Sequence, residues 1–162
     1  MKNFLILPIL ILGSFTCKSQ DFDDYMDIKL ESEEDYIACE DKVIECASYM
    51  LSKPVDSGDK SRMTASAFVF VWMVGAPYTF IIAEWILPLS KKQDGLLLVY
   101  LAAIVKYTLE NKEMDEADIQ LGTANLIYDY CKELRNNVKQ KGAIKKFVAA
   151  GDAGSLGSYI GN

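Results

Sequence analysis

Hydrophobic positions fall into two patterns along this chain, and the two predict different kinds of helix. Tyr36, Cys39, Val43, Cys46 and Met50 recur at steps of three and four, while Glu40, Asp41, Lys42, Glu45 and Ser48 lie away from them. That period predicts a helix over 36–51 with one apolar stripe. The same spacing returns in Ala124, Ile127, Cys131, Leu134 and Val138, predicting a long helix opened by Asp115 and running to Lys139. The stretches 62–74 and 95–110 are apolar on every side, which suits helices at the centre of a bundle.

Local punctuation sets the expected boundaries. Ser32 or Glu33 opens the first helix, and Ser52-Lys53-Pro54 closes it, because proline disfavours helical geometry in the residue before it. Asp59 or Ser61 can cap the next helix. Gly75-Ala76-Pro77 breaks that helix, and Pro77 suits the first turn of a shorter one over 78–87 that ends near Pro88. Turns follow at Lys91 to Gly95 and at Asn111 to Met114, Gly142 ends the long helix, and residues 143–150 make a short basic helix. Leu156, Tyr159 and Ile160 pin a glycine-rich tail. Val69-Phe70-Val71-Trp72 is β-prone on its own, but Ala65, Ser66, Ala67 and Met73 return it to helix. The expected fold is therefore an all-α, single-domain bundle of five to six helices packed as antiparallel pairs. Its centre is a hairpin over 62–89 together with the helix at 95–110, sandwiched by 36–51 and 119–138.

The first twenty residues follow another logic. Met1-Lys2-Asn3 is a short basic start, Phe4 to Gly13 is almost unbroken hydrocarbon, and Ser14 to Gln20 is small and polar. That is the layout of an export signal. It divides the chain into a signal over 1–19, an acidic flexible tether over 20–34 and a helical domain over 35–162. Cleavage after Ser19 discards Cys17. The stretch before Cys17 also resembles a bacterial lipoprotein signal in its length and in the position of its cysteine, with Ser14 and Thr16 standing where that family usually has Leu and Gly or Ala. The resemblance implies that Cys17 becomes the first mature residue and carries lipid, held in a bilayer by about 0.8 kcal/mol per buried methylene. An uncleaved anchor is the third route.

Charge and composition narrow the function. The 162 residues carry a formal net charge of −6, so phosphate backbones repel the chain and nucleic acid is not an expected partner. Residues 21–59 are strongly acidic, relieved only by Lys29, Lys42 and Lys53. Residues 132–146 are basic, with Lys132, Arg135, Lys139, Lys141, Lys145 and Lys146 against Glu133 alone. The two regions attract one another or are simply solvated; a contact patch for anionic lipid or a partner is the sharper reading. There is no histidine. That removes Ser–His and Cys–His nucleophiles, histidine bases and histidine metal ligands. No residue set points to catalysis, to a cofactor or to a metal.

Several constellations remain. Residues 65–83 carry no charge and are long enough, at ~1.5 Å per helical residue, to cross hydrocarbon, though Gly75-Ala76-Pro77 interrupts them. Asp56 to Ser61 has the oxygen ligands of a calcium loop but no closing Glu, and Lys60 competes. Gly151 to Gly157 is glycine-rich but follows a helix, where a phosphate loop follows a strand. Trp72, Tyr78, Phe80 and Trp85 crowd the Gly-Ala-Pro break, and Glu84 is the lone charge nearby, as Lys106 is in the run at 95–109. Trp72, Tyr78, Glu84 and Trp85 are thus the candidate ligand or partner site. Cys39 and Cys46 lie two turns apart, about 10 Å along one helix, and cannot bridge each other. Cys131 can reach either if its helix packs alongside, or all three can serve as small hydrophobes.

The expectation is an exported cell-envelope accessory protein, a helical binding module without catalysis that meets an envelope protein partner. The first alternative is a carrier of a lipid or apolar small molecule in a pocket near 68–85. The second is a small integral membrane protein.

Overall fold

Capping chemistry sets most helix boundaries. The computed structural model describes residues 21–55 and 58–161. Among the described residues it holds eight α-helices and no strand: α1 (Glu33–Ala38), α2 (Glu40–Ser52), α3 (Lys60–Gly75), α4 (Ile86–Ser90), α5 (Leu96–Glu110), α6 (Glu116–Lys132), α7 (Ala143–Asp152) and α8 (Leu156–Ile160). Short 3-10 turns occupy Asp23–Asp27 and Leu134–Asn136. The fold is all-α. The expected signal at 1–19, Cys17, and Asp56 and Ser57 of the calcium-like loop lie outside the described residues.

Ser32 and Asp35 cap α1 reciprocally, each side chain accepting the other's backbone N–H. The N–H groups of Ser32 and Glu31 hold the Asp35 carboxyl below its ordinary range. Asp59 accepts the Arg62 N–H at 2.9 Å to start α3, and Asp115 accepts the Asp118 N–H at 2.9 Å to start α6. Lys53 is extended, with φ −123° and ψ 147°, as its place before Pro54 requires. Gly95 leads into α5 at φ 76°, where an L side chain is strained and a Cβ would run into Val55.

The centre of the molecule is α5, which packs against α2, α3, α4 and α6. Leu96, Val99, Tyr100 and the unbroken run Leu101 to Val105 are buried, as an apolar-all-round helix demands. The start of α3 meets the end of α2, where the Arg62 guanidinium donates to the Met50 and Lys53 carbonyl oxygens. The end of α3 meets α1, where the Trp72 indole N–H donates to the Tyr36 carbonyl oxygen. α2 and α3 therefore run antiparallel.

Five expectations need correction. First, 36–51 is two helices that meet at Cys39, whose N–H bonds back only three residues, to Tyr36 O at 3.2 Å, tightening the turn. Second, no helix spans 78–87. Residues 76–85 are irregular and Pro88 sits inside α4, at its third residue, where no intrahelical bond is lost. Third, α6 stops at Lys132. The Asn136 amide takes the Tyr130 carbonyl at 3.0 Å and the Gln140 amide takes that of Cys131 at 3.3 Å. These side chains replace the next helical turn, and Leu134 is left 88% exposed, off the stripe. Fourth, α3 is not enclosed; only one of its faces is buried. Fifth, 22–30 is no free tether: Phe22 is fully buried, with Tyr25, Ile28 and Leu30 against the core.

Cys39, Cys46 and Cys131 are free and buried, so no disulfide joins Cys131 to either partner. The uncharged stretch 65–83 is helical only as far as Gly75. No helix among the described residues is long and apolar enough to cross a membrane.

Candidate functional site

Helix α3 has two apolar faces and covers one. Ala65, Phe68, Val69 and Trp72 turn inward and are buried. Met63, Ala67, Phe70 and Val74, spaced by four, three and four, turn outward; Met63, Phe70 and Val74 are 60%, 55% and 75% exposed. Scattered exposed hydrophobes are ordinary, but a continuous apolar stripe marks a contact surface. From Met63 to Ala83 no charged residue interrupts it.

Beside the stripe runs a groove of about 510 Å³. Met50 and Val55 form one wall, Met63, Ser66, Ala67 and Phe70 of α3 another, and Leu98 reaches in from α5. That volume and apolar lining suit a small-molecule guest.

Among the described residues one cation lines this groove. Arg62, in the first turn of α3, is only 6% exposed. Its Nη1 donates to the carbonyl oxygens of Met50 and, at 3.1 Å, Lys53. These lie at the carbonyl end of α2, which is the negative end of that helix. Burial lowers the Arg62 pKa from its ordinary value, while Tyr130, Asp59 and Tyr49 oppose the shift. Among the described residues no carboxylate comes within 4.0 Å to form an ion pair with it.

The residues expected to form a site fall in two separate places. Trp72 is fully buried and stacks on Tyr78, with centroids 5.9 Å apart and planes at 29°. The Tyr78 hydroxyl donates to Glu40, which also pairs with Lys112 at 2.5 Å; Lys112 lies 5.5 Å over the Tyr78 ring. Burial, then the bond to Glu40, raises the Tyr78 pKa. This cluster holds the irregular segment against α2. Trp85 is 8% exposed, stacked on Phe147 at 5.5 Å and 7° and edge-on to Tyr100 at 5.4 Å and 79°. Its indole N–H has no partner among the described residues. Exposed Glu84 and Trp85 line a second groove, of about 470 Å³, with Pro88, Tyr159 and Ile160. Lys106, the other lone charge, pairs with Glu110.

Sequence reasoning missed Arg62, Met63 and Leu98 as groove residues. The usable signal was the run 63–74 itself, where a second apolar stripe lies opposite the first and only one can face α5. Among the described residues no group of three or more His, Cys, Asp or Glu is placed to hold a metal ion. No family model matches this chain, and it matches no curated protein and no solved structure.

Proposed function

We propose that this chain is a non-catalytic binding protein of the cell envelope, and that its guest docks on the outer face of α3. The observation that carries this is the exposed stripe Met63, Phe70 and Val74 beside an open apolar groove. Burying such side chains is worth roughly 1.5–3 kcal/mol each, a gain that α3 leaves unused until a guest arrives. The groove's size favours a carrier of an apolar small molecule over an accessory protein that meets an envelope partner. It lies between α2, α3 and α5, however, and not among the aromatics of 76–85.

The hydrophobic run Phe4 to Gly13 supports export, and the position of Cys17 supports lipid attachment there. The lack of histidine supports a role without catalysis. The direct test uses Nile red, a neutral dye whose emission brightens and shifts blue in apolar sites. The purified protein should bind it, and Ala67→Glu, on an exposed position in the groove wall, should abolish the signal. No signal, or one indifferent to Ala67→Glu, sinks the docking role. For the anchor, radiolabelled palmitate should enter the chain in a bacterial host and be lost in Cys17→Ser; equal labelling of both forms removes Cys17 from the reading.

A further inference from the structure

Given the docking role proposed for α3, we infer that the guest is a single-chain carboxylate amphiphile, a long-chain fatty acid, with its tail along the α3 stripe and its carboxylate at Arg62. The charge pattern singles out this chemistry. Among the described residues lining the groove only Arg62 and Ser66 are polar, and none is acidic. A guanidinium has five N–H donors in a planar fork that matches a carboxylate. The Met50 and Lys53 carbonyls occupy Nη1 alone, and no described residue accepts from Nε or Nη2. A buried cation is stabilised by pairing with an anion, and here none of the described carboxylates supplies that pair. Asp59 is near, but it is committed to the Arg62 backbone N–H at 2.9 Å and to the Tyr49 hydroxyl at 3.2 Å.

The layout suits one head and one tail. Arg62 stands at the first turn of α3, and the stripe leads away from it through Met63, Ala67 and Phe70 to Val74. That run rises about 18 Å along the helix at ~1.5 Å per residue, the length of an extended long alkyl chain. The groove volume of about 510 Å³ accommodates a single chain beside Leu98. A neutral alcohol of equal length fills the same walls but leaves the cation unpaired, and a charge-assisted bidentate contact separates the two heads.

The test displaces Nile red from the purified protein with palmitate or hexadecanol, each below the concentration at which it aggregates. Palmitate should displace the dye at least about tenfold more tightly than the alcohol, a gap of ~1.4 kcal/mol. Arg62→Gln keeps donors for the Met50 and Lys53 carbonyls and should erase that gap while leaving hexadecanol unchanged. If this variant fails to fold, the comparison of the two heads on the unaltered protein decides alone. Equal displacement by both overturns the carboxylate assignment and leaves the docking role of α3 standing. Failure of the dye itself to bind overturns both. Binding to phosphatidylcholine vesicles with no displacement by monomeric palmitate also overturns the assignment, in favour of a membrane surface.

Discussion

The indole N–H of Trp72 donates to the backbone carbonyl oxygen of Tyr36 at 2.8 Å, tying the last turn of α3 to α1. The ring is fully buried and lies against Tyr78 and Phe80, with centroids 5.9 and 6.1 Å away. Trp72 is thus a strut of the core and has no surface to offer a ligand. Replacing it by Phe removes the hydrogen bond and leaves a void beside Tyr78. Trp72→Phe should lower stability by about 2 kcal/mol, read from the urea midpoint. A change under about 0.5 kcal/mol would show that the indole contact contributes nothing.

The Tyr100 hydroxyl does the same work for the irregular segment. It donates to the Ile81 carbonyl oxygen at 2.8 Å and accepts the Ala83 N–H at 3.1 Å. Gln120 adds a bond to Ile81 O at 2.9 Å. Tyr100→Phe should cost about 1–3 kcal/mol, the range for stranding a buried polar group. The amide of Ala83 should also lose protection in hydrogen exchange while the α5 amides keep theirs. Unchanged protection at Ala83 would mean that the segment is held by packing alone.

Those two bonds explain where sequence reading succeeded and where it stopped. The caps at Ser32, Asp59 and Asp115 were legible because each acts within three residues of itself. The central place of α5 was legible because a helix with no polar face has nowhere else to go. The irregular path of 76–85 was not, since its bonds come from Tyr100 and Gln120, far along the chain. Nor was the early stop of α6, which depends on Asn136 and Gln140 folding back. Trp72 and Tyr78 stack on each other beside the break, whereas Trp85 packs elsewhere, against Phe147 and Tyr100, and both indoles are buried. The open groove came from α3, whose pattern announces apolar faces without saying which one remains uncovered.

The outer residues of α3 should be dispensable for folding. Phe70 and Val74 are 55% and 75% exposed, so polar replacements remove little buried contact. The double variant Phe70→Ser, Val74→Ser should keep its unfolding free energy within about 0.5 kcal/mol of the parent and lose Nile red binding. A loss of several kcal/mol would place these side chains inside a larger packed structure and take them away from any free docking face.

Gly151 reports on the seam between α6 and α7. A Cβ there would overlap the Tyr128 ring as far back as its first ring carbon. The ring cannot simply swing aside, because its hydroxyl donates to Asp152 at 2.8 Å and Lys132 pairs with the same carboxylate at 2.6 Å. Ala improves helix propensity by up to ~1 kcal/mol, but overpacking of this kind costs about 1–3 kcal/mol. Gly151→Ala should therefore be neutral to destabilising, and a rise in thermal midpoint would contradict the close approach.

The buried thiols give the chain a pH dependence of definite sign. Burial pushes Cys46 and Cys131 from an ordinary 9.0 up to about 12. The hydrogen bond to Glu45, with burial, raises Tyr25 from 10.0 to about 12. Between the ordinary and raised values the unfolded chain gives up protons that the folded chain keeps. The unfolded state then binds fewer protons, so stability falls as pH rises. It is fully present below about pH 9 and drains toward pH 12, by up to about 1.4 kcal/mol per pH unit for each thiol. Urea midpoints should hold steady from about pH 7 to pH 8.5 and then decline. Since the thiolate is the reactive form, Cys46 and Cys131 of a Cys39→Ser variant should resist a thiol-specific disulfide reagent at pH 8 and react at once in urea. Rapid labelling of the folded protein at that pH would show that one of these cysteines is open to solvent.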